Sequence, residues 1–223
     1  MEKKIDRRKS FFAVFDTETT NGFDDPLVYD FGFAIVDKLG NVYAKFSFVI
    51  YETFCGMKDL MASAYYADKI PMYQEQINKG ERKIVSLYTA RKIFNEVCRE
   101  YNVKACMAHN ARFDYIATAT TQRYLTKSKY RFFLPYGIEL WDTLKMAQDT
   151  ICKQKSYKSW CEKNGYITKN GRPQATAEIL YKYISGDENF EESHTGLEDV
   201  MIEKEIFAHC MRQHKPMRKK CFK

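Results

Sequence analysis

The chain predicts an α/β fold: a mixed five-stranded sheet, an antiparallel hairpin plus parallel strands, flanked by helices. Three observations carry this. Short apolar runs without breakers stand near the start and in the middle, Phe11-Phe12-Ala13-Val14-Phe15 and Ala105-Cys106-Met107-Ala108, as strands buried on both faces require. Two β-rich runs separated by Lys38-Leu39-Gly40 read as a hairpin. Helical periodicity then alternates with short strands, which layers helices on a sheet.

In chain order, residues 11–15 form the central strand, and residues 27–37 and 41–51 the hairpin that extends it. Residues 57–78, rich in Ala and Met, read as helical, with Pro71 breaking the run in two. From Ser86 to Tyr101, Leu87, Ala90, Ile93, Phe94, Val97 and Cys98 recur at three-and-four spacing, an amphipathic helix. Residues 105–108 lead into His109-Asn110, and Asn110 is a good N-cap for a helix reaching about Lys127. Residues 138–141 form another strand, with Asp142 capping the next helix. Two short helices at 156–165 and 176–185 flank a loop at 168–173. The last helix runs from about Thr195 to His214, opened by a Thr195–Glu198 capping pair.

A length of 223 residues fits one domain, 11–211, between a basic N-terminal extension, 1–10, and a basic C-terminal tail, 212–223. The 16 Tyr and 16 Phe are ample for its core. No apolar run approaches the ~18 residues of a membrane span. The opening Met1-Glu2-Lys3-Lys4-Ile5 lacks the apolar stretch of a secretory signal, so a cytoplasmic protein is expected. The seven cysteines include no Cys-x-x-Cys pair, which signals neither a disulfide framework nor a zinc site. Of the net charge of +7, residues 1–10 carry +3 and residues 212–223 carry +6, leaving −2 on the body. Such ends could hold a polyphosphate near an active centre or simply fray as solubilising tails.

The chemistry lies in three places. Asp16 and Glu18 are two apart at the end of a strand and point to one face. Asp114 sits four residues after Asn110, one helical turn on. His194 precedes the last helix and Asp199 lies within it. Alone, each has an ordinary reading: a polar turn, a first-turn acid favoured by the helix dipole, a satisfied histidine. Together, four acids at one point would repel unless divalent cations sit among them, and a histidine beside them is placed to accept a proton.

Asp16-Thr17-Glu18, His109-Asn110 with Phe113-Asp114, and His194 with Asp199 resemble the three motifs of the DnaQ-like, DEDDh 3′→5′ exonucleases. The likeness spans roughly residues 11–210 and is supported by Thr19-Thr20, Trp141-Asp142-Thr143-Leu144 and Leu197-Glu198-Asp199-Val200. A sister group places a tyrosine four residues before the last aspartate; Thr195 stands there, which assigns the histidine type. The resemblance implies a ribonuclease-H-like fold and hydrolysis of single-stranded nucleic acid, DNA favoured over RNA, from its 3′ end. It implies two Mg²⁺ or Mn²⁺ ions, with Asp16 bridging, Glu18 and Asp199 completing the tighter site, and Asp114 acting through water. His194 becomes the general base, and nucleoside 5′-monophosphates leave. Thr19 and His109 become candidates for holding the 3′-terminal nucleotide, with Phe23 and Tyr65 as stacking platforms. The glycine usual after the two threonines is displaced by Asn21, which leaves the shape of that pocket open. A polymerase or replication complex and a homodimer are partners by analogy. The alternative is a catalytically silent nucleic-acid- or polymerase-binding module of the same fold.

Overall fold

The structure is a computed structural model describing residues 5–20, 24–127 and 132–222. Among these residues, six strands form one mixed sheet: β1 (Phe11–Thr19), β2 (Val28–Asp37), β3 (Val42–Ile50), β4 (Lys83–Val85), β5 (Ala105–Ala108) and β6 (Glu139–Asp142). Their order across the sheet is β4-β3-β2-β1-β5-β6. The hairpin strands β2 and β3 continue β1 antiparallel, while β5 and β6 lie parallel to β1 on its other side. The five-strand expectation therefore missed β4. Its three residues show no alternation to detect, and pairing with Phe48, Val49 and Ile50 of β3 is what makes them a strand.

The helices are α1 (Tyr51–Phe54), α2 (Lys58–Ala62), α3 (Ile70–Asn78), α4 (Leu87–Glu100), α5 (Arg112–Thr126), α6 (Thr143–Asp149), α7 (Lys155–Asn164), α8 (Ala177–Ser185) and α9 (Gly196–Arg212). None is long and apolar enough to cross a membrane. Residues 57–78 are divided into two helices, α2 and α3, as expected. Pro71 sits in the first turn of α3, just after the break, where its missing N–H has no helical partner to lose. Asn110 is not a cap: its φ of +67° places it before the helix, and α5 opens from Ala111 without a side-chain cap. Asp142 does cap α6, accepting from Leu144 N at 3.0 Å, and the same oxygen accepts from Asn110 N at 3.1 Å.

Strand parity sorts β1 between two apolar layers. Phe11, Ala13 and Phe15 pack with Phe94 of α4 and Ala117 of α5. Phe12 and Val14 pack with residues of α6 to α9, and the Phe12 and Phe207 rings lie 5.0 Å apart. Every position of β2 is buried, as expected of a strand covered on both faces. Continuing the parity, Asp16 and Glu18 emerge on the α9 side, whereas Thr17 points toward α5.

The start of α9 rests directly on backbone. A Cβ on Gly32 of β2 would lie 2.2 Å from the Gly196 carbonyl carbon, and one on Gly196 would lie 3.3 Å from Asp16 O. No side chain fits between them. The chain's end is also part of the body. Cys221 N donates to Leu140 O and Asp142 N donates to Lys219 O, so residues 219–221 cover the outer edge of β6. Arg218 pairs with Asp149 at 2.8 Å, and Cys221 is buried. Frayed is not a description of this segment.

Gly32→Ala should destabilise the fold by about 3 kcal/mol or more, at the upper end of overpacking costs, because its Cβ would meet unyielding backbone. Thermal unfolding of the two proteins checks this; an unchanged melting temperature would contradict the close contact.

Candidate metal centre

The end of β1 and the first turn of α9 bring Asp16, Glu18 and Asp199 together, with one carboxylate oxygen from each lying within 4.8 Å of the others. Asp16 Oδ2 is buried and has no hydrogen-bond partner among the described residues. Asp199 is buried, with Ser193 Oγ at 3.4 Å. The electrostatics register the crowding. Burial, then the charges of Asp114, Glu203, Glu18 and Asp199, pushes the Asp16 carboxyl well above the usual carboxylate range. Burial and Asp199 raise Glu18 to about 9, and burial and Glu192 raise Asp199 to about 8. An unpartnered buried oxygen among acids that cannot all ionise is a donor set suited to a hard divalent cation.

Asp114 stands one step behind. Its Oδ1 accepts from Thr17 N at 3.1 Å and Thr17 Oγ1 at 2.8 Å, which ties α5 to β1. Burial nevertheless carries its carboxyl up to about 7. Thus three of the four expected acids converge, and the fourth is committed in part to Thr17, the strand residue between Asp16 and Glu18.

His194 lies on the irregular segment before α9, with φ +48°, a left-handed conformation that costs a non-glycine residue about 1–2 kcal/mol. Its Nδ1 is 3.9 Å from Glu192 Oε2, and ligand atoms of Glu192, His194 and Asp199 lie within 4.8 Å of one another. Partial burial and the Lys69 ammonium hold the imidazole below its ordinary pKa, so it is neutral near pH 7. Thr195 and Glu198 do not form the expected capping box. Thr195 Oγ1 donates to the Glu198 carboxylate at 2.7 Å, and no backbone N–H of α9 is capped by that hydroxyl.

His109 is placed otherwise than expected. Its Nδ1 lies 3.0 Å from Thr143 Oγ1 and its Nε2 2.8 Å from Ala175 O, so both ring nitrogens are used inside the fold and neither is left for a substrate. Thr19 ends β1 just past a register shift, opposite Val28 and next to Glu18. Tyr65 is 87% exposed, with its ring perpendicular to that of Tyr66 at 4.8 Å between centroids. Phe23 lies outside the described residues.

Two acids of the site escaped the sequence reading. Glu203 is buried; its Oε1 accepts from His109 N at 3.0 Å and its Oε2 has no partner among the described residues. It follows Asp199 by four residues on α9, a same-face spacing that could have revealed it. Glu192 gives no such signal, because it stands in an irregular acidic stretch.

No protein-family model matches the chain, and no curated protein does. Solved structures do. A 3′-exonuclease recognising the 3′ end of a histone mRNA stem-loop superposes with TM-score 0.56 at 10% identity, covering 95% of this chain and 85% of that one. This is a ribonuclease-H-like fold. Exonuclease I from Methylocaldum szegediense matches with TM-score 0.51 at 16% identity, over 93% of this chain and 41% of that one. The zinc-bound complex of E. coli exonuclease I with single-stranded DNA matches with TM-score 0.52 at 15% identity, over 88% and 39%. The chain thus spans about two fifths of the exonuclease I proteins.

Because Glu18 at about 9 and Asp199 at about 8 hold protons at pH 7 in the metal-free protein, a cation must displace them. Mn²⁺ binding at pH 7 should release protons, and apparent affinity should rise with pH until both acids are ionised. Calorimetry in buffers of different ionisation heat measures the release; a buffer-independent heat would contradict the crowded-acid picture.

Proposed function

We propose that this chain is a 3′→5′ exonuclease acting on single-stranded nucleic acid, DNA in preference to RNA, with two Mg²⁺ or Mn²⁺ ions and a histidine base. The observation that carries the reading is the convergence of Asp16, Glu18 and Asp199, with Asp16 Oδ2 buried and unpartnered among the described residues and neutral His194 beside Asp199. The names of the structural neighbours, nucleases working at a 3′ end or bound to single-stranded DNA, agree with it.

Asp16, Glu18 and Asp199 would hold the cations directly and Asp114 through water. Bound divalent ions lower the pKa of an attacking water and offset charge on the attacking and leaving oxygens. His194 accepts the proton of that water, and its depressed pKa keeps it free to do so at neutral pH. Thr19, beside Glu18 at the end of β1, is suited to hold the terminal nucleotide. Nucleoside 5′-monophosphates are the products. A silent binding module is the weaker reading, since the four acids and the histidine are all in place.

The test is a time course with 5′-labelled single-stranded DNA and RNA of one sequence in Mg²⁺, Mn²⁺ or EDTA. The label should shorten stepwise in either ion and not in EDTA, faster on DNA. Asp16→Ala should abolish shortening, and His194→Ala should slow it by about 10²–10⁴-fold, the range of a general base. Stable oligonucleotide binding without turnover in Mn²⁺ would favour the silent module instead.

A further inference from the structure

The nuclease reading leaves two residues between α2 and α3 without a role, Tyr66 and Lys69. The Tyr66 ring lies nearly parallel to the His194 imidazole, with centroids 4.8 Å apart and planes inclined by 16°. Lys69 Nζ donates to Ser193 O at 2.6 Å and to His194 O at 3.2 Å. The same ammonium stands 4.1 Å from the Tyr66 ring centroid. One segment therefore grips the histidine twice, by its ring and by its backbone.

The grip answers a specific difficulty. Residues 187–195 contain no helix or strand, so no ladder of backbone bonds fixes His194. Its left-handed backbone, φ +48°, is one that few side-chain-bearing residues adopt unaided. A base on such a segment would spread over several ring orientations, and ordering it at the moment of reaction costs conformational entropy. Two hydrogen bonds from one ammonium hold the peptide units on either side of the left-handed residue. The stacked ring then sets the imidazole plane, and hence where its lone pair points.

We propose that Tyr66 and Lys69 are positioning residues for His194, Tyr66 fixing the plane of the imidazole and Lys69 the backbone that carries it. This rests on His194 being the general base. A base displaced by about 1 Å can lose about 10²-fold in rate, so loss of either contact should appear in kcat rather than in KM.

The experiment uses the full chain with Tyr66→Phe, Tyr66→Leu and Lys69→Met, each also combined with His194→Ala. In the metal-free protein, the His194 ring resonances should lie upfield through the Tyr66 ring current, stay there in Tyr66→Phe and move downfield in Tyr66→Leu. In turnover, Tyr66→Leu and Lys69→Met should lower kcat by on the order of 10–10²-fold with KM little changed, while Tyr66→Phe stays near the unaltered chain. With His194→Ala already present, Tyr66→Leu should cost nothing more and Lys69→Met far less than in the unaltered chain, since the group being aimed is gone and only the ammonium's offset of Glu18 and Asp199 is left to lose. Equal losses with and without His194, or a Tyr66→Phe loss as large as that of Tyr66→Leu, would overturn the proposal while leaving the nuclease reading intact. Absence of hydrolysis by the unaltered chain would overturn the nuclease reading and any catalytic purpose for the stack, although the resonance shift would still report the contact.

Discussion

Three donors converge on one carboxylate oxygen of Asp30: Gly196 N at 3.0 Å, the Tyr73 hydroxyl at 2.6 Å and Arg82 Nη1 at 3.1 Å. Asp30 lies on β2, Tyr73 on α3, and Gly196 opens α9, so this oxygen is where strand, outer helix and site-bearing helix meet. Arg82 extends the junction to Ser47 Oγ at 2.8 Å and Glu198 Oε2 at 2.8 Å. The two glycines let the helix end reach the strand, and Asp30 gives its first N–H a partner. A buried pair of this kind is poor net stabilisation, yet removing one member costs about 3–5 kcal/mol. Its effect is geometric: Asp199 and His194 are presented toward the end of β1 only while the start of α9 stays against β2.

That junction has to oppose the site it builds. A first-turn acid such as Asp199 gains about 0.3–1 kcal/mol from the helix dipole. The gain is outmatched, because burial and Glu192 carry its carboxyl to about 8. Glu203 adds another buried acid one turn further along α9, and Asp114 faces the cluster from α5. Lys69 is a nearby cation that offsets Glu18 and Asp199 in part. Without added positive charge, the cluster holds protons rather than full negative charge. The local arrangement thus runs against stability and leaves acids that could hold a cation.

Legibility of the sequence followed the range of the physics involved. Period-two alternation put Asp16 and Glu18 on one face, and continuing it through Phe12 and Val14 locates that face under α9. Periodicity also found α4, and the Asp142 cap depends only on neighbours along the chain. Features made by distant partners were not legible. Strand β4 exists through β3, and Asn110 adopts φ +67° where its amide reaches Asp142. His109 is consumed by Thr143 and Ala175, which stand 34 and 66 residues away. The C-terminal segment reads as charge in sequence, but backbone pairing with β6 needs no side-chain signature.

Rigidity is divided unevenly across the site, and the division matches what each residue would do under the proposed function. Asp16 and Glu18 belong to a strand paired on both sides of the sheet, and Asp199 to a helix seated on backbone. If these acids hold an ion as proposed, fixed positions serve them, because each misplaced oxygen would weaken every other contact to the same ion. His194, the proposed proton acceptor, sits outside any regular element and is held by its neighbours rather than by its own backbone ladder.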